Sequence, residues 1–160
     1  MYRYTILLIA ALLTSALWTG CGGGGGSTNL PQKSAKVTFG TTSSDPAVQI
    51  SGVFIAVTLP AGVTVATEPG SNRISAASLQ GIGFQVFGRY SAPIRKVTIG
   101  TLPATSPLPL GPYAELNCDL QPGVTFSDPA SIITLDFQPT GPGGSTLNNV
   151  QSSISVVPVY

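Results

Sequence analysis

Two cysteines and six carboxylates are the groups in this sequence from which chemistry could be assembled, and histidine is absent. Without imidazole the chain lacks the usual general base and the commonest metal ligand. Serines are plentiful, but none stands in a Gly-x-Ser-x-Gly elbow beside a base that could activate it. The carboxylates are Asp45, Glu68, Glu115, Asp119, Asp128 and Asp136. A glycosidase would need two of them facing each other across a bond. Here they fall beside turns or on exposed strand positions, where capping and solubility are the ordinary roles. Calcium needs about six to eight oxygens, and no Asp-x-Asp-x-Asp loop supplies them. The run Gly22 to Gly26 has no following Lys and follows no strand, so it cannot cradle phosphate. The expectation is a non-enzymatic chain with no metal and no cofactor.

The two thiols have different surroundings. Cys118 lies in Tyr113-Ala-Glu-Leu-Asn-Cys-Asp-Leu120. There Ala114, Leu116, Cys118 and Leu120 share one phase, and Tyr113, Glu115, Asn117 and Asp119 the other. Strict alternation predicts a half-buried strand with the thiol inside as a small hydrophobe. The outward set Tyr113, Glu115, Asn117 and Asp119 is the candidate binding face; the alternative is a merely solvated sheet face. Cys21, by contrast, closes a leader. Arg3 is a short positive region, Ile6 to Trp18 is apolar apart from Thr14 and Ser15, and Thr19-Gly20 puts small residues before the cysteine. That order of parts is a secretory signal. The apolar run is short of the roughly 20 residues that span a bilayer.

The stretch Leu17-Trp18-Thr19-Gly20-Cys21 resembles the lipobox of bacterial lipoproteins, with Trp18 where that family usually has Leu. The resemblance implies cleavage before Cys21 and diacylation of its thiol. Two acyl chains suffice for stable anchoring where one is marginal. An ordinary secretory signal followed by a cysteine is the alternative. Gly22, rather than Asp, follows the cysteine, which by the same resemblance implies outer-membrane delivery in a host with two membranes. The expected organisation is a signal over residues 1–20, a lipidated Cys21 with a Gly-rich linker over 21–34, and one domain over 35–160. With Cys21 acylated, Cys118 has no partner for a disulfide.

Charged residues are only 8% of the chain, with 19 Gly and 14 Pro. Removing residues 1–20 takes away Arg3, one of seven basic residues, and leaves six against six acidic. A neutral surface offers no counterion-release drive, so no nucleic-acid partner is expected. β-prone runs recur between turns: Lys36 to Gly40, Ala47 to Leu59, Gly62 to Thr67, Gly81 to Tyr90, Lys96 to Leu102, Tyr113 to Leu120, Ile132 to Phe137 and Val150 to Tyr160. Gly52 is a candidate bulge, and 75–80 a candidate helical turn. About nine short strands predict an all-β, two-sheet antiparallel β-sandwich.

Ile50 to Val65, with Pro60-Ala-Gly62 turning one alternating strand into the next, resembles the early strand pair of cohesin domains. Gly111 to Leu120 is similar to a later cohesin strand. Phe126 to Phe137, followed by Gly141-Pro-Gly-Gly144, is similar to the cohesin C-terminal end. The resemblance implies a jelly-roll-like sandwich and a protein or polysaccharide partner. Planar sugar binding would need exposed rings. Trp18 goes with the signal, which leaves the patch of Phe87, Arg89 and Tyr90 as the candidate, against a reading of Phe in the core and Tyr at the sandwich edge. The expected function is a membrane-tethered protein-interaction or adhesion module of the bacterial envelope. A carbohydrate-binding module and a structural envelope lipoprotein are the alternatives.

Overall fold

The computed structural model describes residues 33–102 and 110–160. The expected leader, Cys21 with its linker, and most of the Pro-rich loop 103–112 lie outside the described residues. Nine strands follow in order: β1 Ser34–Ser43, β2 Gly52–Thr58, β3 Val63–Thr64, β4 Leu79–Gly81, β5 Val86–Ser91, β6 Lys96–Thr101, β7 Gly111–Leu120, β8 Ile133–Thr140 and β9 Val150–Val159. They form two antiparallel sheets. One has the order β3-β7-β1-β9, with β4 also paired to β7, and the other is β5-β6-β2-β8. The all-β sandwich expected from the alternation is what the chain forms.

The core lies between the sheets and follows the period of two that each strand imposes. From the first sheet Ala35, Val37 and Phe39 of β1 meet Ala114, Leu116 and Cys118 of β7. From the second come Val53, Ile55 and Val57 of β2 with Val97 and Ile99 of β6. Cys118 is a free, fully buried thiol.

Two expectations need correction. Gly81 to Tyr90 is not one strand. Gly83 adopts φ 77°, which ends the extended run, so β4 joins one sheet and β5 the other. Gly52 is not a bulge but the first residue of β2. The bulges lie elsewhere: Phe39 pairs with Ala114 and Gly40 with Pro112, which leaves Tyr113 as an extra residue on β7. A second interrupts β8, where Ala56 pairs with Asp136 and Val57 with Thr134. The segment 75–80 makes a single turn, with the amides of Ser78 and Leu79 both donating to the Ser75 carbonyl, and then enters β4.

Burial pushes the Cys118 thiol from its ordinary 9.0 up to about 12, with the nearby Asp119 carboxylate adding to the effect. The folded thiol therefore keeps its proton where the unfolded one loses it. The stability it contributes is complete below about pH 9 and falls as pH rises toward 12, by about 1.4 kcal/mol per pH unit for one proton. Between pH 9 and 10 the wild-type chain should lose more stability to denaturant than a Cys118→Ala chain. Tyr90 and Tyr113, whose phenols burial also raises, add a smaller dependence to both chains that grows as pH passes 10. Native Cys118 should also resist bulky thiol reagents. Rapid labelling would show that the inner face of β7 is open.

Candidate functional site

The outer face of the sheet β5-β6-β2-β8 carries what the alternation leaves out of the core. Phe54 of β2 lies opposite Gly100 of β6, and Gly100 lies opposite Phe87 of β5. On the other side Phe54 pairs with Gln138 of β8. One row across four strands therefore reads Phe87, Gly100, Phe54, Gln138. The Phe87 ring occupies the space that any side chain at position 100 would need. Glycine at 100 thus lets the ring lie down on the sheet, and Phe87 is still 46% exposed. Phe54 is half-buried beside it.

The next row carries Arg89, Thr98 and Asp136, with a buried Ala56 between the last two. Gln138 bridges the two rows, its Nε2 donating to Asp136 Oδ2 at 2.7 Å. Phe87 separates two shallow grooves. The larger, about 510 Å³, runs past Phe54 and Gln138 to the glycine-containing turn at Gly141, Gly143 and Gly144. The second, about 400 Å³, lies toward Arg89 and the ion pair of Arg73 Nε with Glu68 Oε1 at 3.5 Å. Two rings thus stand within a polar border of both charges. Among the described residues no three His, Cys, Asp or Glu side chains converge as a metal site would require.

The structure divides the four residues expected to form the outward face of β7. Tyr113 is turned inward and only 2% exposed. The bulge explains this: one extra residue breaks the alternation, so Tyr113 and Ala114 both face the core. The Tyr113 hydroxyl is buried with no partner among the described residues, and burial raises its pKa. Glu115, Asn117 and Asp119 do face outward, but two are engaged within the chain. Glu115 Oε2 holds Lys36 Nζ at 3.0 Å. Asn117 donates from Nδ2 to the Ala77 carbonyl at 3.2 Å and from its backbone N–H to that of Ser78 at 2.7 Å. Only Asp119 is an exposed carboxylate there. Of the aromatic patch expected at 87–90, Phe87 and Arg89 are outward and Tyr90 is buried, its hydroxyl donating to the Val63 carbonyl at 3.4 Å.

Phe54, Gly100 and Gln138 were not singled out by the sequence. A signal was present for one of them: Phe54 is out of phase with the buried series Val53, Ile55 and Val57.

The two-sheet antiparallel sandwich is a cohesin-like fold. The chain is similar to a type II cohesin domain from the cellulosome of Acetivibrio cellulolyticus, with a TM-score of 0.51 and 11% sequence identity. The match covers 74% of this chain and 85% of that domain. At that identity the likeness concerns the fold. No protein-family model matches the chain, and no curated protein matches it in sequence.

Proposed function

We propose that this chain is a non-enzymatic binding module, tethered to a bacterial envelope membrane through acylated Cys21, that takes a protein partner on the outer face of β5-β6-β2-β8. The observation that carries the reading is the Phe87–Gly100–Phe54 row. Burying large rings at the centre of an interface supplies most of its binding energy, and a polar border excludes water around them. Phe, unlike Tyr or Trp, has no polar edge with which to meet sugar hydroxyls, which favours a protein over a polysaccharide. The cohesin-like fold supports the same reading, since the neighbouring structure is a cohesin domain from a cellulosome by its own description. The lipobox resemblance, with Gly22 rather than Asp after the cysteine, supports outer-membrane placement in a host with two membranes.

The test is capture from solubilised native envelope on the immobilised protein, with polysaccharide pull-down in parallel. Phe54→Ser with Phe87→Ser should reduce recovery of a protein partner by tenfold or more, about 1.4 kcal/mol at the least. Both side chains project away from the core, so the melting temperature should change little. Undiminished capture by the double variant would remove this face from the account. Retention on insoluble glycan without any protein partner would replace the reading with a carbohydrate-binding one.

A further inference from the structure

The exposed apolar side chains are unevenly placed. Six of the eight large hydrophobic residues that stand exposed among the described residues surround one end of the sandwich: Ile94, Ile133, Leu135, Val157, Val159 and Tyr160. Strand register defines that end. Ser34 at the start of β1 pairs with Val159 at the end of β9 and with Asp119 near the end of β7. In the other sheet Thr58 pairs with Ile133 and with Lys96, and Lys96 with Ser91. Ile94 sits in the short 3-10 turn joining β5 to β6 at the same end.

These residues form a collar and not a face. Val157 and Val159 pair with Lys36 and Ser34, out of phase with the buried Ala35 and Val37, so they project from the outer side of the β9 sheet. Ile133 pairs with Thr58, out of phase with the buried Val57, so it projects from the opposite side of the molecule. Ile94 stands at the tip, 60% exposed. Leu135 and Val157 lie two residues farther up their strands than Ile133 and Val159, about 7 Å at the strand rise. A protein docking on one sheet covers one flank of such a collar. A medium that surrounds the whole end covers both.

The described chain also begins there. The Lys33 amide donates to the Val159 carbonyl at 3.1 Å, so the described chain begins beside Val159 of the collar. Eleven residues, 22–32, separate Lys33 from Cys21, and at about 3.3–3.6 Å each they span at most about 40 Å, which ties this end to whatever holds Cys21. Lys33, Lys36, Arg95 and Lys96 are here too, four of the six cations left after residues 1–20. Lys36 is paired with Glu115, and Asp119 and Asp128 lie at the same end, the latter capping the turn at 129–131. Lys33, Arg95 and Lys96 have no ion pair among the described residues. The charge balance is slightly positive, so apolar contact is the larger contribution and phosphate attraction the smaller.

We infer that this end of the sandwich docks into the interface of the membrane that carries the Cys21 anchor, with the collar seated among acyl chains and headgroups. The inference rests on the anchor reading above. Insertion of about 5–10 Å, the depth at which amphipathic surfaces settle, takes in the whole collar. Tyr160 is suited to the headgroup level, and lysine and arginine stems can lie along the interface with their charges in water. The domain then stands end-on. The Phe54–Phe87 groove, which opens toward the Gly141–Gly144 turn at the other end, faces away from the bilayer.

Trp18 is the only tryptophan and falls in the leader, so a single reporter can be introduced. The full-length chain with Tyr160→Trp is purified from membranes and reconstituted into vesicles of phosphatidylethanolamine and phosphatidylglycerol with brominated acyl chains. A second chain carries Leu102→Trp at the far end, and a third adds Ile133→Asp and Val159→Asp to Tyr160→Trp. Docking predicts quenching of about twofold at position 160, its loss in the third chain, and none at position 102. Equal quenching at 160 and 102, or none at either, overturns the inference. The mass of the same samples reports the anchor separately. If Cys21 carries no lipid, residues 21–160 are coupled through the Cys21 thiol to a maleimide-headgroup phospholipid, with buried Cys118 left unmodified, and the same comparison decides.

Discussion

Phe39→Ala is expected to lower the stability of the folded chain by about 3–5 kcal/mol, the cost of removing a buried phenyl ring from a core that cannot collapse around the space. Phe39 has no exposed surface and sits on β1, which has β7 on one side and β9 on the other. Its register partners, Ala114 and Ile154, are held by two ladders, so the backbone cannot move in to fill the gap. Tyr113, brought inside by the β7 bulge, stands at the same level. Domains of this size have total stabilities of roughly 5–15 kcal/mol, so much of the margin would go. Urea unfolding read by circular dichroism checks this through the shift in midpoint at constant slope. A loss below about 1 kcal/mol would mean that the ring does not fill the core as described.

The second large effect concerns the anchor. Cys21→Ala should move the protein almost completely out of the membrane fraction, or stall it as a precursor that still contains Trp18. Every other attachment in the account is weaker: the collar of exposed apolar residues can orient a tethered domain, but two acyl chains provide the stable anchoring. Mass spectrometry of the wild-type protein should find an N-terminus at Cys21 with added lipid mass. An unmodified N-terminus at another residue would contradict the anchor whatever the fractionation shows.

The inner faces of β1, β2, β6 and most of β7 were legible because alternation is a local property, and a strand with one buried face must display it. Cys118 was placed inside on that ground alone. What failed was whatever altered the phase without marking the sequence. Tyr113 occupies a bulge, and one extra residue in a ladder turned an outward aromatic into a core residue. Gly83 could have continued a strand, yet its positive φ divided Gly81–Tyr90 between two sheets. The Phe54–Phe87 row was out of reach for a different reason. Its members come from four strands, of which only β5 and β6 are consecutive in the chain, and only the register of β5, β6, β2 and β8 brings them together. Each strand shows locally that Phe54 and Phe87 are outside, but not that Gly100 lies between them as a floor.

The most direct measurement is site-specific photo-crosslinking in the native envelope, with a photoreactive phenylalanine analogue replacing Phe87 in one chain and Asn117 in another. Both positions leave the anchor and the core intact. The account predicts a discrete protein adduct from position 87 and none from position 117, where the side chain lies against the Ala77–Ser78 turn. An adduct from 117 without one from 87, or crosslinks from 87 to glycan alone, would contradict it.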